Sequence, residues 1–548
     1  MIDNWWVAKG FMPVWRDQPM LLPPDLRDWL PVDHQVWFVL DAVARLDTAG
    51  FAARARLGGA GRAGYDPDML LALLIWAYAG GVTSSRQVER RCREDVAFMV
   101  ISGLARPDHA TIARFRQQHD EAFVDLFTKV LALCGRAGMG GLGHVAVDGT
   151  KIAANASMQA MTDEDGLRRI ACRLVEQAAA DDAVEDELFG DARGDELPEA
   201  LQDPARRRAL LDELIERAET DPNRDRGGKR RRAVDKADRA LALADELAAV
   251  RDTTRRAARQ RLQDELDAAR HSAAHIRAAV QQKADERATQ HAAAAAEGRR
   301  LPGAKPVPVD EHSHVRRAQT RVEAVEAELA AFEATPHTGK TNSGKKNNNP
   351  VRCLTDPDCR LMPTRTGFIA GLNTQLAVAA DYLILAVEVV QDTGDVNQLE
   401  PMHDKIDDAV QTLRDATANP DLAVGTTLFD AGYNSHDNLT APGPDRLIAQ
   451  GKTHQPTGPT PPTQPPHPNA TAREHMAWRL STPEGKTLYR KRGATVEPVN
   501  AHLKDRRGLR RFSRRGLTAA KAEAHLAAAV TNLLRLATTH GPTALTTA

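Results

Sequence analysis

GHVAVDGTKIAANAS, residues 143–157, is where the chain changes period. His144, Ala146 and Asp148 alternate with Val145, Val147 and Gly149. A two-residue repeat is the spacing of a strand, because successive side chains of extended backbone point to opposite faces. The strand is expected to deliver Asp148 at its end, beside a glycine. The pattern then stops from about Met158 to Pro350 and resumes in RTGFIAGLNTQLAVAADYLILAVEVVQDTGD, residues 365–395. Residues 366–379 and 382–390 alternate as a hairpin turning near Ala380 and Asp381, with Asn373 and Gln375 on one face. A helix is predicted over Gln398–Ala416. LAVGTTLFDAGYNS, residues 422–435, reads as a strand ending in Asp430, again followed by small residues. Leu447–Gln450 is a candidate fifth strand, and the seven prolines of Gln455–Pro468 exclude regular structure after it.

The interruption is rich in Ala, Arg, Glu and Asp. Val315, Ala318, Val322, Val325, Leu329 and Phe332 step by three and four, a heptad seam. Its expected partner is a long helix, Ala233–Glu286, with Leu243, Leu247, Val250, Leu262 and Leu266, the two forming a helical hairpin around a Gly/Pro-containing loop at 298–309. HTGKTNSGKKNNNPVR, residues 337–352, is too polar to pack and reads as a linker.

Upstream, five of the seven tryptophans lie in the first 60 residues, read as a packing arm and one helix. DPDMLLALLIWAYAGG has Pro67 at a helix start and Gly80 and Gly81 at its end. Ser84 or Ser85 caps a second helix, and Asp108 opens a third. Residues 60–137, with Arg86, Arg90, Arg91, Arg93, Arg114 and Arg116, suit a helix-turn-helix DNA reader, or else a helical bundle whose arginines are only solvated.

The most charged stretch is TLYRKRGATVEPVNAHLKDRRGLRRFSRRG, residues 487–516, with ten Lys and Arg against Glu497 and Asp505. The whole chain has 548 residues and a net charge of −1, so the basicity is concentrated here. A merely solvated face would interleave both signs; a surface this basic suits phosphates. Glu497, inside the apolar run ATVEPV, is then the anomaly, whereas Asp505 can pair with Lys504 or Arg506 beside it. The apolar stripe of Leu517–Thr538 closes the chain. No apolar run reaches membrane-spanning length and the N-terminus lacks signal-peptide order, so a cytoplasmic protein is expected. Five scattered cysteines argue against a disulfide framework, and neither Cys353 with Cys359 nor the histidines have zinc-site spacing.

Strand with acid, two strands, helix, strand with acid, then a helix with Glu497 is the order of a ribonuclease H-like core. Attack on a phosphodiester builds charge on the entering and leaving oxygens, and two divalent ions about 3.5–4 Å apart stabilise both. Carboxylates are the hard-oxygen ligands that Mg²⁺ prefers. Asp356 and Asp358, in TDPDCR, are read as turn formers, Glu388 and Asp392 as outer-sphere at best, and His144 as a satisfied strand histidine.

DGTKIAANAS (148–157), TDPDCRLMPTRTGFIAGLNTQ (355–375), LFDAGYNS (428–435), GDELPEAL (194–201) and the basic stretch together resemble bacterial insertion-sequence transposases of the DDE type. The family's Tyr-Arg-Glu-Lys signature corresponds to Tyr489, Arg492, Glu497 and Lys504, with four residues rather than three between Arg492 and Glu497. The resemblance implies a ribonuclease H-like catalytic core interrupted by a helical insertion (158–350), behind an all-α N-terminal domain. It implies Asp148, Asp430 and Glu497 as catalytic residues and ligands of two Mg²⁺ (or Mn²⁺) ions. Tyr489, Arg492 and Lys504, with Arg506, Arg507, Arg510 and Arg511, would contact DNA. The implied partners are double-stranded DNA, as terminal inverted repeats and target, and a second protomer in a synaptic homodimer, at the bacterial nucleoid when bound. A transposase-derived DNA-binding protein without catalysis is the alternative.

Overall fold

In the computed structural model, residues 25–53, 64–174, 176, 226–298, 307–334, 350–451, 465–467 and 470–541 are described. Trp5, Trp6, Trp15, the GDELPEAL segment, the polar linker at 335–349 and most of the proline-rich loop lie outside them. The chain divides into two compact units, Met1–Met158 with Asp358–Ala548, and Gln159–Pro357.

The first unit is built on a six-stranded sheet. Its long strand, β5 (Gly367–Ala379), pairs antiparallel along one edge with β1 (His144–Ala153). Along the other edge it takes β4 (Arg360–Thr364) and then β6 (Ile384–Val390), both antiparallel. β7 (Thr426–Phe429) joins β1 in parallel and β8 (Arg446–Ile448) joins β7. The central strands are buried on both faces, so they read as nearly continuous apolar runs. The expected hairpin is present, and Tyr382, at φ 66°, takes the left-handed position in its turn.

β1 differs from expectation. It does not end at Asp148 but runs on to Ala153, because β5 pairs with it through Gly149↔Gln375 to Ala153↔Gly371. What ends near Asp148 is the parallel pairing: β7 reaches only Ala146. The acid therefore lies where one neighbouring strand stops and leaves an opening in the sheet.

Among the described residues seven α-helices precede β1: α1 (Gln35–Arg45), α2 (Ala49–Ala52), α3 (Pro67–Ala79), α4 (Ser85–Glu94), α5 (Val96–Ser102), α6 (His109–Gln118) and α7 (Asp120–Arg136). Asp66 accepts from Asp68 N at the start of α3, with Pro67 as the first helical residue, and Asp108 caps α6 through Thr111 N. These helices do not form a core of their own. Their buried side chains belong to one apolar cluster with the sheet and the C-terminal helix, so the boundary expected at 137 is not a packing boundary.

After β8 come α12 (Ala472–Ser481), α13 (Pro483–Asp505) and α14 (Leu517–His540), while α10 (Leu399–Thr417) and the short α11 (His436–Thr440) lie before and after β7. α12 stops at Ser481, and the Thr482 side chain accepts from Gly485 N to cap α13 just before Pro483. α14 packs on α7, α3 and β6; its Leu526, Val530, Leu533, Leu534 and Leu536 are all buried.

The second unit has a short antiparallel pair, β2 (Met161–Thr162) with β3 (Arg352–Cys353), and centres on α8 (Arg226–Ala296), 71 residues long, and α9 (Ser313–Ala334). They run antiparallel, as the pairs Arg259–Glu333, Arg270–Glu326, Arg321–Glu265 and Arg277–Asp310 require. Val315 and Val325 of the expected seam are buried, and Phe332 lies under the Arg255 guanidinium. Leu243 and Leu247 pack elsewhere, against Leu167 and Ala171 of the helical segment at 164–174.

Candidate active site

Asp148, on β1, has its Oδ1 bonded by Arg492 Nη2 at 2.6 Å and its Oδ2 by Asn500 Nδ2 at 2.9 Å. Both donors come from α13, eight residues apart, which is about two turns and therefore one face. The same Arg492 nitrogen lies 3.9 Å from Oδ2 of Asp430, the residue directly after β7. Asp430 is fixed in turn by accepting from Gly432 N at 2.8 Å.

Burial pushes the Asp148 carboxyl up to about 6; Arg492 opposes this, and the negative charges of Asp430, Asp395 and Glu497 add to it. Three other carboxylates thus act on Asp148, brought near it by the sheet and α13. Glu497 lies on the exposed side of α13, folded back over Gly493, where an added Cβ would stand 3.3 Å from its Oε1.

Asp395 is the acid that the sequence reading missed. It follows β6 in the run DTGD, outside any periodic pattern. Its Oδ1 accepts from Asn373 Nδ2 at 2.7 Å, Gln375 Nε2 at 2.8 Å and Lys151 Nζ at 3.1 Å. Asn373 and Gln375, expected on one face of the hairpin, are fully buried and orient this carboxylate. Glycine at 149 lets it approach: a Cβ there would collide with Asp395 Oδ1 and lie 2.6 Å from Gln375 Nε2. Across β5 the two amides stand opposite Gly149 and Lys151, as Gly149↔Gln375 and Lys151↔Asn373. Glu388 and Asp392, named instead from the same segment, are spent elsewhere. Glu388 pairs with Lys405 and Lys521, which hold its carboxyl below the usual range although burial opposes them, and Asp392 accepts from Gln398.

The signature residues separate in place and partners. Tyr489 donates to Phe429 O at 3.2 Å, beside Asp430; burial raises its hydroxyl pKa. Lys504 is half-buried and depressed by burial, with Asp148 opposing the shift. Arg507 is 6% exposed, bonded to Ala79 O and Thr531 Oγ1, and lowered by burial to about 10. It is a bolt between α3 and α14, which removes it from the expected DNA-contacting set. Arg510 pairs with Asp505, which therefore does not pair with its sequence neighbours, and Arg511 leans on the carbonyls of Ala154 and Ala156. Arg506 remains exposed. His144, buried, meets Thr495 Oγ1 at 3.1 Å. Asp358 accepts from Leu517 N and Gln391 Nε2, and Asp356 is buried.

Two matches to known families fall on these elements. Residues 24–118 match a transposase domain, and residues 463–537, which carry Glu497, match a transposase DDE domain. These two matches support an insertion-sequence transposase of the DDE type. No curated protein and no solved structure matches it. The first matched segment supplies α1–α6 and the second α12–α14, so the matched parts flank, along the chain, the sheet that carries Asp148 and Asp430.

Among the described residues no group of three or more acids, histidines or cysteines is placed to hold a metal ion. The donors nevertheless suit a hard divalent cation. Carboxylate oxygens of Asp148 and Asp430 face one gap, the gap already holds a positive group, the Arg492 guanidinium, and the buried Oδ1 of Asn500 beside it lacks a donor.

Proposed function

We propose that this transposase has a ribonuclease H-like catalytic core, cleaves DNA at the ends of its element and joins the freed 3′-hydroxyls to target DNA. The observation that carries the proposal is the meeting of Asp148 and Asp430 at one guanidinium, with Glu497 close enough to act on the Asp148 carboxyl. The strand arrangement also supports it: an antiparallel trio, β6-β5-β1, is extended by parallel β7 and β8, and both strand acids lie where the parallel pairing ends.

Asp148, Asp430 and Glu497 would hold divalent cations, two Mg²⁺ or Mn²⁺. Bound there, such ions supply Lewis-acid stabilisation of the entering and leaving oxygens. This chain's own residues do the rest. Arg492 and Lys504 offset the carboxylate charge that would otherwise repel a phosphodiester. Asn500 fixes the rotamer of Asp148, and Tyr489 braces the carbonyl preceding Asp430. Arg506, exposed at the end of α13, with Arg86 of α4 and Arg114 of α6, would hold DNA phosphates, with a second protomer presenting the other element end.

Purified protein is incubated with its element ends, with and without Mg²⁺, and released 3′-ends are mapped. Metal-dependent nicking at the end, lost in D148N, D430N and E497Q while end binding persists, is the expected result. Sequence-specific binding with no cleavage by the wild type would instead establish a DNA-binding protein without catalysis.

A further inference from the structure

We propose that Asp395 is a fourth metal-binding carboxylate of this site, an inference that rests on the divalent-cation reading above. The structure spends much on aiming it. Asn373 and Gln375, both with no exposure, and Lys151, 16% exposed at the side chain, all bond its Oδ1. Tyr433, also fully buried, donates to Gln375 Oε1, which leaves the Gln375 amide nitrogen to face Asp395. Buried polar groups cost free energy unless they are paired, so a chain from Tyr433 through Gln375 to one carboxylate oxygen is an orienting device.

All three donors converge on Oδ1. Oδ2 has no bonded partner among the described residues. A Cβ at Gly432 would lie 3.1 Å from Asp395 Oδ2 and 3.0 Å from Asp430 Oδ1, so both oxygens look onto the same small volume. An independent sign of a missing ligand is on α13: Asn500 is 9% exposed, its Nδ2 binds Asp148, and its Oδ1 has no partner. If Asp395 served only as an ion-pair partner for Lys151, neither the double amide clamp nor the bare backbone at Gly149 would be needed.

Mn²⁺ binding to the full chain without DNA, followed by electron paramagnetic resonance and calorimetry, tests this apart from activity. D395N keeps the shape of the side chain and should weaken Mn²⁺ about tenfold or more, the size of loss seen when ligand shells are altered. K151M removes the ion pair but should leave Mn²⁺ affinity equal or tighter; a structural role predicts that K151M and D395N behave alike. G149A displaces the same carboxylate without changing its charge and should weaken Mn²⁺ in the same direction, which carries the test if D395N does not fold. Unchanged affinity in D395N and G149A, with loss in D148N and D430N, overturns the proposal alone. Unchanged affinity in all four, or no Mn²⁺ binding by the wild type, overturns the divalent-cation reading with it.

Discussion

Arg492 bonds Asp148 at 2.6 Å through the same nitrogen that stands 3.9 Å from Asp430, so one guanidinium balances two carboxylates at the centre of the sheet. Replacing it with methionine leaves them facing each other uncompensated. R492M should cost about 2 kcal/mol in metal-free buffer, the usual worth of a charged hydrogen bond. It should also gain more melting temperature from added Mn²⁺ than the wild type does, because the cation then takes the vacated place. Equal Mn²⁺-induced shifts in the two proteins, by scanning fluorimetry, would count against a shared position.

Arg116 and Glu523, both buried, join α6 to α14. Arg116 donates to Tyr78 Oη, Thr83 O and Ser513 Oγ, and lies 3.8 Å from Glu523, whose carboxyl burial raises. Removing one member of a buried pair strands the other, at a cost of about 3–5 kcal/mol. R116M should therefore lower the urea midpoint strongly, and R116M/E523Q should recover part of the loss.

Gly508 and Gly81 bring two distant turns into backbone contact. Gly508 has φ +70°, and a Cβ on it would lie 2.7 Å from Gly81 O. G508A combines a left-handed alanine with a clash against main chain that cannot rotate away, and should cost about 1–3 kcal/mol. Gly138Ala, also at positive φ (+85°) but with open space around the Cβ, isolates the conformational part. Chemical denaturation of both gives the difference.

His403, buried on α10 against Phe429 and meeting Thr427 Oγ1 at 3.2 Å, is held near a pKa of 4 by burial and then by Arg446. The native imidazole is neutral, so the unfolded chain binds more protons between pH 6.5 and 4. Stability conferred by this site is present above 6.5 and is lost as pH falls toward 4, by roughly 3 kcal/mol at most. H403Q should flatten that part of the stability profile, read from denaturation midpoints at pH 4.5, 5.5 and 7.

Arg86 on α4 and Arg114 on α6 are exposed and form no ion pair with a described residue, whereas Arg90, Arg91 and Arg93 pair with Glu94, Asp95 and Glu89. R86A/R114A should weaken binding to the element ends and reduce the salt slope by up to about two, while the Arg90 variant should change little. Fluorescence anisotropy across a salt series measures it.

Sequence alone determined the succession of β1, the β5–β6 hairpin, α10 and β7, the association of Asp148 and Asp430 with β1 and β7, and the oddity of Glu497 in a basic helix. Those are local properties: period, flanking glycines and charge within a few residues. Tertiary structure alone decided that Asp395 belongs beside them, because its importance comes from Asn373, Gln375, Lys151 and Gly149, residues 20 to 246 positions away that only the pairing of β1 with β5 brings together. It likewise decided which arginines are free. Arg506 and Arg507 are neighbours of identical chemistry, yet the helix end leaves one in solvent and drives the other between α3 and α14 to close on Ala79 O, a direction no composition records.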